Sequence, residues 1–163
     1  RPAAFAKAAL ELLASEGLSD LMLVVEPGRS LVGPHGVLVS SVVQSKSSGP
    51  RRWLMIDAGM NDLIRPALYG ARHRIEPLDK EPGEDAYRIV GPVCESSDDF
   101  GEYSIGALPE RVVIRDAGAY GFVMACEYNG RPLPAEVFVR EGKVVHVSRT
   151  PGHEAWIQRR LDA

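Results

Sequence analysis

From Leu31 onward, Gly, Pro, Asn, Asp and Ser divide the chain into short β-rich segments, and no long helical pattern interrupts them. The expected strands are Val37–Ser45, Arg52–Asp57, Arg72–Glu76, Tyr87–Val93, Val112–Asp116, Ala135–Arg140 and Lys143–Ser148. Strands of this length with turns between them suggest a barrel or a sandwich. Glu141-Gly142 reads as a tight hairpin connection between the last two. A closing helix is expected from about His153 to Leu161, where Ile157 and Leu161 lie four apart with Trp156 beside them. Residues 79–85 are rich in charge and read as a surface loop.

The stretch before Leu31 has a different character. Phe5, Ala9, Leu12 and Leu13 share one face of a helix over residues 3–14, with Lys7 and Glu11 four apart on another, and Gly17 ends it. The continuous apolar run Leu21-Met22-Leu23-Val24-Val25 reads as a buried strand of the parallel kind. Helix, loop and buried strand make one αβ unit. The sequence therefore divides at about residue 33: 1–33 as an αβ unit and 34–163 as a mainly β domain. Glu26-Pro27-Gly28-Arg29 then stands at a strand's carboxyl end, where functional groups of α/β folds gather.

The chain has 163 residues, 45% hydrophobic and 25% charged, enough for a sizeable core in one domain or one plus a fragment. A net charge of −3 with no run of five like charges gives no electrostatic case for nucleic acid or an anionic membrane. Small molecules or protein partners are favoured. No apolar run reaches 18 residues, so no membrane-spanning helix is expected. Two cysteines, Cys94 and Cys126, make neither a disulfide framework nor a zinc pattern, which points to a reducing, cytoplasmic setting. Cys126 reads as a buried structural thiol.

Four stretches carry groups that could do chemistry. Gly91-Pro92-Val93-Cys94-Glu95-Ser96-Ser97-Asp98 mounts a thiol and a carboxylate in a turn after a strand, a candidate acid, base or nucleophile, with a buried structural cysteine as an equal alternative. Gly28 lets backbone approach a ligand, and Arg29 suits a carboxylate or phosphate; a loop with a surface arginine is equally compatible. Arg65 and Tyr69 lie four apart and would face the same way on one helical turn begun by Pro66, or would be a solvated arginine and a packed tyrosine. Gly118-Ala119-Tyr120-Gly121 flanks an aromatic ring with small residues, in a ligand-facing loop or an ordinary turn.

Taken in order, these stretches, together with Tyr128-Asn129 and Arg131-Pro132-Leu133-Pro134-Ala135-Glu136-Val137, resemble the C-terminal part of the diaminopimelate decarboxylases, pyridoxal-phosphate enzymes of the alanine-racemase-like fold type. The resemblance implies a C-terminal β-barrel or sandwich domain preceded by the last αβ unit of a (β/α)8 barrel. It implies decarboxylation of meso-2,6-diaminopimelate to L-lysine, with pyridoxal 5′-phosphate as cofactor. Glu26, Gly28, Arg29 and Tyr120 would serve the cofactor, the backbone at Gly28 and Arg29 holding its phosphate. Arg29, Arg65 and Tyr69 would grip substrate carboxylate, Tyr120 would lie beside the substrate, and Glu95 would meet its distal ammonium. Cys94 would be the proton donor, acting in the partner's active site, so a homodimer with a shared site is implied.

Ornithine- and arginine-type decarboxylases resemble this sequence less, since they usually carry aspartate where Glu95 stands. The anchoring lysine, the ring-stacking histidine and the glycine-rich phosphate loop of such enzymes have no counterpart among Lys7, Lys46, Lys80 and Lys143 or their surroundings. The chain is accordingly expected to be a C-terminal fragment, inactive alone. A non-catalytic, self-associating β domain, or a related decarboxylase of the ornithine or arginine type, is the alternative.

Overall fold

The computed structural model describes residues 2–149 and 152–162. Its framework is a six-stranded mixed sheet in the order β3-β6-β1-β2-β4-β5. The strands are β1 (Leu38–Ser48), β2 (Arg51–Ile56), β3 (Ile75–Pro77), β4 (Ala86–Val90), β5 (Asp99–Ser104) and β6 (Arg111–Ile114). A separate antiparallel hairpin is formed by β7 (Glu136–Arg140) and β8 (Lys143–Ser148). The helices are α1 (Pro2–Ser15), the single turn α2 (Arg29–Val32), the short α3 (Arg65–Tyr69) and α4 (His153–Leu161).

The long strand β1 organises the sheet. Its first residues, Leu38 to Ser41, pair with β6 along one edge, and from Val42 onward the other edge pairs with β2. The register slips between Val42 and Gln44, a bulge that adds twist where the strand passes from one neighbour to the other, and the sheet curls into a barrel-like shape. Gly49-Pro50 closes the β1–β2 hairpin in two residues, with Gly49 in the left-handed region at φ 57°. β2 and β4 run parallel, so the connection between them must cross over, and residues 57–85 make that crossing.

Alternation places the core. Leu54 and Ile56 of β2, Ile89 of β4, and Val112 and Ile114 of β6 are fully buried and meet Leu63, Ile75, Phe100 and Ile105 in one cluster. Each such side chain contributes about 1.5–3 kcal/mol of transfer free energy. Leu63 matters for the site, because it anchors the 57–63 segment that leads into α3.

Several expectations are refined. The closing helix and the 141–142 connection stand where expected, Glu141 and Gly142 both with positive φ. β3 begins at Ile75 rather than Arg72, and β4 stops at Val90 rather than Val93. β5 was not anticipated at all; Gly101, at φ 98°, interrupts its pattern, and its ladder with β4 supplies the pairing. Leu21–Val25 forms no strand: among the described residues no segment pairs with it, and Met22 and Val24 are 86% and 71% exposed. A strand exists only through its ladder, and an apolar run without a neighbour has none. Cys126 is exposed, not buried, because only its backbone is tied down, donating to the Asn61 carbonyl at 2.9 Å.

Candidate functional site

The first group of expected residues gathers at a hollow of about 330 Å³ lined by Arg29, Arg65, Arg72, His73 and Asp116, among others. Next to the lining residues Gly33 and Asp116, two backbones approach closely. The Ala117 N–H donates to the Gly36 carbonyl at 2.9 Å and the Gly118 N–H to the Gly33 carbonyl at 3.1 Å. A side chain at Gly118 would overlap the Val32 carbonyl oxygen, so only glycine lets the 28–36 segment and the 116–121 loop meet. Tyr120 follows in the left-handed region at φ 59°, an unusual conformation for an aromatic residue and one that this close contact imposes. Its hydroxyl reaches Gly28, where a Cβ would stand 3.9 Å away.

Helix α3 supplies the opposite side. Pro66 suits its first turn, and Gly70, left-handed at φ 61°, closes it with an N–H bond to the Pro66 carbonyl at 3.0 Å. The Arg65 guanidinium lies 5.4 Å from the Tyr69 ring centre and 5.8 Å from that of Tyr120. Both rings stabilise the cation and restrict its orientation. Among the described residues no carboxylate forms a salt bridge with Arg29 or Arg65, unlike Arg52, Arg74, Arg88, Arg115, Arg159 and Arg160. Two planar donors in one hollow, neither of them in an ion pair with the Asp116 that also lines it, are arranged to take an external carboxylate or phosphate. Glu26 is exposed and does not line the hollow.

The second group is the Cys94 turn. The Glu95 N–H donates to the Val93 carbonyl at 2.8 Å, the Asp98 N–H to the Glu95 carbonyl at 3.1 Å, and the Gly91 N–H to the Asp98 carbonyl at 3.0 Å. Val93 is buried, so the turn presents Cys94 and Glu95 outward with an exposed thiol and an exposed carboxylate. Glu95 accepts a 2.5 Å hydrogen bond from the Tyr128 hydroxyl through one oxygen.

Asp98 joins this turn to the first group. It is 3% exposed, and one carboxylate oxygen accepts the Val93 N–H while the other accepts the Met60 N–H, each at 2.6 Å. Met60 belongs to the segment that runs into α3, five residues before Arg65. Nearby, Asp62 accepts the Gly59 N–H at 2.8 Å. Burial pushes both carboxyls above the ordinary value of 3.8, although the backbone donors oppose the shift. A side chain at Gly91 would overlap the Asp98 carboxylate. Asp98 and Tyr128 lie within motifs of the sequence that point to no role for either; a short-side-chain acid closing a turn is the available signal for Asp98.

A curled mixed sheet bearing an arginine pair at one hollow and a thiol–carboxylate turn beyond β4 defines a class. The chain belongs to the family described as pyridoxal-dependent decarboxylase, C-terminal sheet domain, whose model matches residues 31–119. Within that class its relatives are diaminopimelate decarboxylases. It is 39% identical over 147 residues to the one from Aquifex aeolicus, covering 86% of this chain and 34% of that protein. To the one from Vibrio cholerae it is 46% identical over 146 residues, covering 88% and 34%. The crystal structure of diaminopimelate decarboxylase from Helicobacter pylori complexed with L-lysine superposes with a TM-score of 0.76 at 36% identity, over 93% of this chain and 38% of that one. The chain thus spans about a third of the length of the curated relatives it matches.

Proposed function

We propose that this chain is the C-terminal part of a diaminopimelate decarboxylase, with residues 1–33 completing a (β/α)8 barrel and residues 34–163 forming the β domain. The reaction breaks the bond from the α carbon to its carboxylate, releases carbon dioxide and places a proton on that carbon, turning meso-2,6-diaminopimelate into L-lysine. The observation that carries this reading is the pair of guanidiniums, Arg29 and Arg65, sharing one hollow and in no salt bridge among the described residues, with Arg65 flanked by Tyr69 and Tyr120.

The residues present fit pyridoxal 5′-phosphate along one side. Gly28 carries no side chain beside the Tyr120 hydroxyl, and the backbone N–H groups at Gly28 and Arg29 suit a phosphate, with Glu26 two residues before Gly28 in the same exposed segment. When bound, the cofactor supplies the sink for the electron pair left by carbon dioxide. Arg29 and Arg65 orient the substrate by its carboxylate, Tyr69 and Tyr120 hold Arg65 in place, and Tyr120 excludes water from one face. Glu95 reads the distal ammonium and Cys94 delivers the proton, both across a homodimer interface. A cytoplasmic biosynthetic enzyme is the setting that suits exposed free thiols.

The test is a graft. The corresponding third of the Vibrio cholerae enzyme is replaced by this chain, and carbon dioxide release is measured with meso-diaminopimelate, ornithine and arginine. Turnover of diaminopimelate above the other two is expected; a folded, cofactor-loaded graft that prefers ornithine or releases nothing would overturn the reading.

A further inference from the structure

Glu95 sits at the tip of an exposed turn, where a side chain of three torsions samples many rotamers and a charged contact to substrate must first overcome that entropy. The Tyr128 hydroxyl removes the freedom by donating to one Glu95 oxygen, which leaves the second oxygen open to an ammonium group. Tyr128 is itself held. Its turn places Asn129 and Gly130 consecutively in the left-handed region, at φ 56° and 69°, and is closed by the Gly130 N–H to the Glu127 carbonyl at 3.0 Å. Arg131 ties the far side of the turn to the Asp57 carbonyl at 2.6 Å. From below, Arg159 and Arg160 of α4 bind the two oxygens of Glu127 at 2.8 and 3.5 Å. Trp156 packs so near that a Cβ at Gly130 would stand 3.5 Å from its ring. The closing helix, the 127–131 turn and the Cys94 turn thus form a chain of contacts that ends on the Glu95 carboxylate.

We propose that Tyr128 is the positioning residue for Glu95, fixing its carboxylate in the one orientation that receives the distal ammonium of the substrate. The inference rests on the reading of Glu95 given above, and it assigns to Tyr128 a part in substrate selection rather than in bond breaking. Its action is confined to the oxygen it binds. Removing the hydroxyl leaves the ring, the turn and the α4 contacts in place while returning Glu95 to its free rotamers.

Two measurements decide it. In the chain itself, ultraviolet difference titration with Tyr128→Phe as the blank isolates the Tyr128 phenol. Glu95 and Cys94 are the ionisable groups that face it, and with Glu95 bound it titrates above the ordinary value of 10.0. Glu95→Gln should move that midpoint down; an unmoved midpoint would remove the contact and the proposal with it. In the grafted enzyme, Tyr128→Phe should raise KM for meso-diaminopimelate about tenfold, as the loss of one hydrogen bond to a charged group predicts, with kcat within about twofold. A fall in kcat at constant KM, or no change in either, would overturn the positioning role. A graft inactive with every variant sinks the functional reading alone, and the phenol titration then decides whether Tyr128 holds Glu95.

Discussion

The buried carboxylate of Asp98 accepts the backbone N–H of Val93 at 2.6 Å, across the turn that exposes Cys94 and Glu95. Its other oxygen holds Met60, so a single side chain fixes the thiol turn and fixes it relative to the segment feeding α3. Asp98→Ala leaves the buried Val93 N–H and the part-buried Met60 N–H without this acceptor and should lower unfolding free energy by ~3 kcal/mol, read from urea denaturation. Asp98→Asn, keeping one acceptor, should fall between. Equal stability of Asp98→Ala and the parent would mean the turn is held by something else.

Stability should carry the mark of Asp98 and Asp62 in its pH dependence. Burial raises both carboxyls above 3.8 in the folded chain, so the folded state binds protons that the unfolded state has released. Their contribution is fully present below 3.8 and is lost as pH rises through the raised folded values. Denaturation series from about pH 4 to pH 7 should show this component declining with pH, and Asp98→Ala should flatten it.

Gly118→Ala should separate the 28–36 segment from the 116–121 loop, because the added methyl overlaps the Val32 carbonyl. A loss of ~2 kcal/mol is expected, with weaker anion binding at the Arg29–Arg65 hollow. Near-native affinity for a dicarboxylate in this variant would show that the hollow does not depend on that contact.

In the grafted enzyme, Cys94→Ala should cut turnover by at least about a hundredfold, the usual contribution of a positioned acid, while cofactor absorbance per protomer stays unchanged. Normal turnover would take the proton donor's role away from Cys94.

Glu95→Asp shortens the carboxylate by one methylene and draws it away from the Tyr128 hydroxyl. Discrimination between meso-diaminopimelate and amino acids lacking the distal ammonium should narrow about tenfold in kcat/KM. An unchanged ratio would show that Glu95 does not read that group.

What could be read from the sequence was local. The α4 boundaries follow from a helical period, the 141–142 connection from Glu-Gly between two apolar strands, and the Arg65–Tyr69 pairing from four-residue spacing. What escaped depends on partners far along the chain. β5 is a strand because β4 lies beside it, despite Gly101; Leu21–Val25 has a strand's composition and, among the described residues, no strand beside it. Asp98 takes its role from Met60 and Tyr128 from Glu95, and no periodicity encodes either meeting. Motif resemblance assigns roles to the residues proposed to touch ligands and passes over those that hold them in place.

The pairing of β1 with β6 has a consequence for how the molecule is made. Leu38 leaves the ribosome long before Ile114, yet the first half of β1 has no partner on that edge until β6 emerges, and β2 likewise waits for β4. Closure of the sheet is therefore a late event governed by distant pairings, slow by the measure of helical proteins of the same size. Arg65, Tyr69 and the Cys94 turn all lie between those two strands in the chain, so these candidate site residues are synthesised before the sheet that positions them can close. During that interval the unpaired edge of β1 is the part of the sheet most open to non-native pairing.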